Sequence, residues 1–168
     1  MGSVTFKHNP IETIGDFPHV GDKAADFKLV TSDLSEFSLA DVGEKRLIFN
    51  IFPSVDTPVC AMQLKKFSQL AAELDNTLLL FASLDLPFAF SRFCAAEGIK
   101  NAITSSDYRH RSLANNYGVQ MEGGPLEGLY ARAVIVLDEE QAVLHSELVQ
   151  EVTDEPDYEA AIMAIKKQ

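Results

Sequence analysis

The chain has 168 residues, which fits one domain, and its 46% hydrophobic and 23% charged residues are the balance of a folded globular protein. Its formal net charge of -11 repels phosphate backbones, so we expect no nucleic-acid partner. The sequence has neither an apolar run of membrane-spanning length nor a signal-peptide core, and we expect a cytoplasmic protein without a membrane partner. In that compartment two cysteines are more often catalytic, redox-active or inert than a permanent bridge.

The first part of the chain is typical of β-structure. Four short β-type runs are followed by a nearly continuous apolar run at residues 46–52, which predicts a central strand covered on both faces. The first two runs flank Asn9-Pro10 and predict an N-terminal β-hairpin. The four runs are residues 3–7, 11–14, 27–31 and 36–39.

After Thr57 the hydrophobic period lengthens to three and four residues, which predicts a helix to about Asp75. Its buried stripe comprises Val59, Gln63, Phe67, Leu70, Ala71 and Leu74. Strands are then predicted at 78–84, near 102–104, at 131–137 and at 142–149, and helices at 87–97, before 118 and at about 156–166. This order indicates an α/β fold with a central mixed sheet flanked by helices, in a single domain over residues 1–168.

The segment from Pro53 to Cys60 lies where a buried strand gives way to a helix, a common place for ligands in α/β folds. Residues before a proline avoid helical dihedrals, and proline is favoured at the first helical position. Thr57 is therefore the predicted N-cap and Pro58 the first helical residue. Cys60 then falls in the first turn, near free N–H groups and the positive end of the helix dipole, a setting that favours thiolates.

Complete ionisation of a thiol raises the thiolate fraction at neutral pH by only roughly 30-fold. A fast reaction therefore needs further groups that position the electrophile and stabilise developing charge. Thr57 offers a hydroxyl three positions before Cys60, on the same side of the first turn. Arg132 interrupts an otherwise apolar strand, and a buried guanidinium requires an anionic partner such as a thiolate.

The spacing Pro53-x-x-x-Thr57-x-x-Cys60, with an arginine far downstream, resembles the active-site signature of peroxiredoxins. The wider sequence is similar to the bacterial thiol peroxidase subfamily over essentially the whole chain. The matching segments include residues 50–54, 85–89, 91–94, 124–126 and 155–161.

This resemblance implies a thioredoxin-like fold with an added N-terminal hairpin and a homodimer acting in antioxidant defence without a cofactor. It implies a peroxidase for hydrogen peroxide and organic hydroperoxides, in which Cys60 is oxidised to sulfenic acid. By the same resemblance, we expect Cys94 to resolve that acid as an intramolecular disulfide, which thioredoxin then reduces. We also expect Thr57 and Arg132 to hold the peroxide and the thiolate, and Pro53 to shield the site from water.

Without the resemblance, simpler interpretations remain. Cys60 equally fits a packed small hydrophobe, and Cys94 fits inert core better than a redox role. Thr57 fits a helix cap, and Arg132 fits a strand end whose charged head reaches solvent.

Two other functions also remain open: a cysteine hydrolase with a histidine as base, and a non-catalytic thioredoxin-fold module with two buried thiols. The four histidines have no mutual ligand spacing, so we assign no metal.

The positions of Cys60 and Cys94 in separate predicted helices suggest a conformational step. A disulfide needs Cα atoms within about 7 Å of each other. We expect the reduced protein to hold the two residues too far apart, so that bonding partly unwinds one helix or both.

Overall fold

The computed structural model describes residues 2–99 and 101–167, which form ten strands and five helices. The strands are β1 (Ser3–Phe6), β2 (Asn9–Ile14), β3 (Lys28–Thr31), β4 (Glu36–Ser38), β5 (Arg46–Ile51), β6 (Thr77–Ser83), β7 (Ile103–Ser106), β8 (Gln120–Glu122), β9 (Ala133–Leu137) and β10 (Val143–Leu148). The helices are α1 (Leu39–Val42), α2 (Pro58–Ala71), α3 (Pro87–Glu97), α4 (Ser112–Asn116) and α5 (Tyr158–Lys166).

Seven strands form one mixed sheet in the order β10-β9-β5-β6-β7-β3-β4. The central strands β5, β6 and β7 are parallel, and the outer neighbours pair antiparallel. The sheet packs against helices, so the predicted α/β class with a central mixed sheet is confirmed. Among the residues that the structure describes, no helix is long and apolar enough to cross a membrane.

The N-terminal hairpin is also confirmed, because β1 and β2 pair antiparallel. Its turn is at Lys7 and His8, both at positive φ, and not at Asn9-Pro10. Two consecutive residues in the left-handed conformation form a tight turn whose twist matches that of the flanking strands. The hairpin joins β8 in a separate three-stranded sheet.

Helix α2 begins as predicted, with Thr57 as N-cap in extended conformation and Pro58 as the first residue. It ends at Ala71, earlier than the predicted Asp75. The predicted stripe is right at Gln63 and Phe67, which are buried, and at Ala71 and Leu74, which pack against buried apolar residues, but wrong at Leu70, which is 39% exposed. The buried face includes the cysteine itself and comprises Cys60, Gln63, Leu64, Phe67 and Ser68.

The central sheet separates two apolar clusters. Alternate residues of β5 face opposite sides, so Phe49 belongs to the first cluster and Ile48 to the second. The second cluster lies under α2, α3 and α5 and contains Cys60. The pairing of β9 with β5 places Ala133 opposite Ile51, which brings the preceding residue, Arg132, beside the segment that leads into α2.

Candidate active site

Cys60 is fully buried in the first turn of α2. Its sulfur accepts a hydrogen bond of 3.1 Å from Nη1 of Arg132. The strand pairing described above is what brings together these two residues, 72 positions apart in the chain.

The guanidinium of Arg132 is enclosed, with the residue only 2% exposed. Nε and Nη2 donate to the main-chain carbonyl of Val152 at 3.0 and 2.9 Å, and Nη1 also donates to Oε1 of Gln63 at 2.9 Å. The interpretation of a strand-end arginine with its head in solvent is therefore wrong. The side chain turns inward because neutral oxygens and the sulfur satisfy it there.

Gln63 and Asn50 extend this network into the core, and both are fully buried. Nε2 of Gln63 donates to Oδ1 of Asn50 at 2.9 Å, and Nδ2 of Asn50 donates to the Leu80 carbonyl at 3.4 Å. Sequence reasoning did not identify either residue as functional. The sequence did contain an indication, because each is a polar residue at a position where the strand or helix pattern predicts a buried apolar one. Buried polar side chains need hydrogen-bond partners, which often belong to a site.

The loop before α2 is held in place by hydrogen bonds. The Thr57 hydroxyl donates to the Ser54 carbonyl at 2.9 Å and makes no cap to the helix, unlike the simple cap interpretation. The carboxylate of Asp85, after β6, accepts from the Ser54 hydroxyl at 2.7 Å and from the Val55 N–H at 2.8 Å. Both bonds fix the segment that precedes Cys60.

A pocket of about 360 Å³ opens beside this site. Three of the residues predicted for the site, Pro53, Thr57 and Arg132, line it together. Most of its remaining wall is apolar and is formed by Phe6, Pro58, Val59, Leu126, Leu129 and Val152, with Lys7, Ser54 and Thr153 adding polar groups.

The structure places Cys94 in a different helix, α3, where it is half-buried at the edge of the second apolar cluster. Burial raises the pKa of its thiol, and a hydrogen bond with Thr104 partly opposes that rise. Both cysteines are free thiols.

The geometry disfavours the cysteine hydrolase, because that function needs a histidine at the nucleophile. In the described ranges, the hydrogen bond to the Cys60 sulfur comes from an arginine. His110 is paired with Glu36, and His19 with Asp22.

The Redoxin family model matches residues 19–162. The chain belongs to the Redoxin family. A thiol peroxidase of Corynebacterium glutamicum resembles this Redoxin-family chain, with 47% identity over 165 residues that cover 98% of the chain and 99% of the relative.

Solved structures agree with this assignment. A peroxiredoxin-like protein from Aquifex aeolicus superposes with a TM-score of 0.93 at 37% identity, covering 98% of this chain and 96% of that one. A thiol peroxidase from Chromobacterium violaceum has a TM-score of 0.90, covers the same shares, and at 24% identity supports the fold alone. This Redoxin-family chain is thus a peroxidase enzyme of the bacterial thiol peroxidase subfamily, with the thioredoxin-like fold of peroxiredoxins.

Proposed function

We propose that this enzyme reduces hydrogen peroxide and organic hydroperoxides, with Cys60 as the nucleophile. The observation that carries the proposal is the 3.1 Å contact between Arg132 and the Cys60 sulfur in a buried site. Arginine stays charged at any working pH, and a charged donor at this distance favours a thiolate over a thiol.

In the proposed step, the Cys60 thiolate attacks the terminal oxygen of the hydroperoxide. The O–O bond breaks, its electron pair leaves on the other oxygen, and that oxygen takes a proton to become an alcohol or water. Cys60 is left as a sulfenic acid, the two-electron oxidation product of a thiolate.

Thr57 and Arg132 have capacity left to hold the peroxide. The Thr57 hydroxyl donates its hydrogen bond to the Ser54 carbonyl, so its oxygen can accept a hydrogen bond from the O–H of a hydroperoxide. Arg132 uses four of its five N–H donors in the described contacts, which leaves one Nη2 hydrogen for a peroxide oxygen. Pro53, buried at the pocket wall, limits access of water.

The pocket supports organic hydroperoxides as substrates. Its volume of about 360 Å³ exceeds what hydrogen peroxide needs, and its wall is mainly aliphatic and aromatic. Such a wall favours an apolar substituent on the peroxide through the hydrophobic effect.

We assign Cys94 the resolving role. Its thiol attacks the Cys60 sulfenic sulfur, a disulfide forms and water leaves. Cys60 lies in the second apolar cluster and Cys94 packs against it, but they belong to different helices, so the proposal includes partial unwinding of α2, α3 or both. Thioredoxin then supplies the two electrons that reduce the disulfide.

A cytoplasmic homodimer completes the proposal. Two free thiols suit a reducing compartment. Leu86 and Phe88, 52% and 66% exposed at the start of α3, are apolar side chains that a second copy would cover. Analytical ultracentrifugation at micromolar concentration tests the dimer, because the measured mass should be twice that of one chain.

A peroxide-consumption assay with thioredoxin tests the catalytic scheme. Cys60→Ser should abolish turnover. Cys94→Ser should consume about one equivalent of peroxide and stall with a sulfenic acid that dimedone traps at Cys60. Normal turnover of Cys94→Ser with thioredoxin would exclude the resolving role.

A further inference from the structure

Gln63 is fully buried one turn after Cys60, on the same face of α2. Its amide lies between the guanidinium of Arg132 and the side chain of Asn50, and bonds to each at 2.9 Å. A fully buried amide with two such bonds has one fixed place in the core.

The orientation of this amide is determined from the far end of the network. The carbonyl of Leu80 can only accept, so Nδ2 of Asn50 faces it and Oδ1 of Asn50 faces Gln63. Nε2 of Gln63 must then donate to Asn50, and Oε1 is left to face Arg132. Every hydrogen bond in the network is therefore donated in one direction, from the guanidinium of Arg132 through Gln63 and Asn50 to the main-chain carbonyl.

The charges around Arg132 make the neutrality of Gln63 significant. The carbonyl of Val152 and the amide of Gln63 are both uncharged, so Cys60 is the bonded partner able to take a negative charge. Tyr158, from α5, also acts electrostatically on Arg132 and Cys60, but burial and its bond to Glu155 raise its pKa and keep the phenol neutral.

We propose that Gln63 is a positioning residue that aims Nη1 of Arg132 at the Cys60 sulfur without neutralising the arginine charge. The inference rests on the proposed function of Cys60. A carboxylate at this position would compete with the thiolate for the positive charge of the same guanidinium. An amide oxygen fixes the geometry and leaves the charge to the sulfur.

The test is Gln63→Glu in a Cys94→Ser background, where Cys60 is the remaining thiol. The sulfur and Oε1 of Gln63 bond to one nitrogen at 3.1 and 2.9 Å, so they lie no more than about 6 Å apart. A new charge at that distance should move the pH midpoint of Cys60 alkylation by iodoacetamide upward by about one unit or more. The control Gln69→Glu adds the same charge on the exposed side of α2 and should move it by less than about 0.3 unit.

Gln63→Met provides a second arm, because it removes the amide at similar volume and adds no charge. Freed from its acceptor, Arg132 should lose alignment, and the rate with peroxide should fall about tenfold. Equal midpoints for Gln63→Glu and Gln69→Glu, or a Gln63→Met rate equal to wild type, would overturn the inference. Alkylation does not require peroxide, so a protein that fails to consume peroxide would refute the proposed function and leave this readout intact.

Discussion

The two cysteines of this chain have opposite surroundings. Cys60 is fully buried in the first turn of α2, with a guanidinium on its sulfur. Cys94 is half-buried late in α3, beside a threonine, and burial raises the pKa of its thiol. In the proposed scheme Cys60 reacts first, beside the guanidinium, and Cys94 reacts second, so the surroundings and not the residue type divide the work.

Replacement of Arg132 should remove most of this difference. Arg132→Met should slow the reaction of Cys60 with peroxide by about 100-fold or more in stopped-flow assays, the scale for losing a buried donor to a developing charge. Its pH midpoint of alkylation at Cys60 should rise, while alkylation of Cys94 stays unchanged. Arg132→Lys keeps a positive charge but loses the planar guanidinium with its several N–H donors. Its rate with peroxide should therefore lie between those of Arg132→Met and the wild type. An unchanged pH profile in Arg132→Met would contradict the contact.

Loosening the loop before Cys60 should have a smaller effect. Asp85→Ala removes the acceptor for the Ser54 hydroxyl and the Val55 N–H, so the peroxide rate should drop about tenfold. Asp138→Ala is the matched control, since the Asp138 carboxylate also holds a loop by accepting hydrogen bonds, in its case from two main-chain N–H groups in the β9–β10 turn. Equal losses in both variants would indicate a general loss of stability instead.

Two exposed ion pairs tie α3 to the Cys60 region: Arg92 with Asp56 at 3.2 Å, and Lys65 with Glu97 at 3.3 Å. Exposed pairs contribute at most about 1 kcal/mol, so Arg92→Ala or Lys65→Ala should speed disulfide formation by no more than about fivefold.

The control for this prediction is Arg109→Ala, which breaks an exposed pair with Glu36 of β4 and involves neither α2 nor α3. Quenched-flow measurement of the Cys60–Cys94 disulfide after one peroxide equivalent checks the ranking. Slower disulfide formation in Arg92→Ala and Lys65→Ala would show that these pairs favour the bonded state.

The smallest effect concerns Cys94. Because its folded-state pKa is raised, a smaller fraction is thiolate in the native protein than in urea at the same pH. In a Cys60→Ser background, native alkylation of Cys94 should be severalfold slower than alkylation of the unfolded chain at neutral pH. The ratio of the unfolded-state rate to the native-state rate should approach one as the pH rises through the raised pKa. Equal rates near neutral pH would contradict the effect of burial.

The sequence predicted the elements that local rules control. The proline rules located the start of α2 correctly, and apolar runs located the central strands. The three-residue strand β8 was missed, because such a short strand depends on a distant pairing with β2.

The candidate site was predictable only in part. Motif spacing pointed to Cys60, and the interruption of an apolar strand pointed to Arg132, but neither pattern indicates how the arginine is enclosed. The buried partners Asn50 and Gln63 lie on different elements, and their roles depend on packing across the sheet. Hydrogen-bond direction between amides has no counterpart in periodicity or composition.

The carbonyl of Val152 has a consequence for how such a site evolves. It holds two nitrogens of Arg132, and the N–H of the same residue bonds to the main chain of Thr5 in β1. No substitution can delete a main-chain oxygen, so the residue type at position 152 does not reveal that its carbonyl binds Arg132. Selection can preserve it only by preserving the path of the backbone, and the N-terminal strand is where that constraint acts.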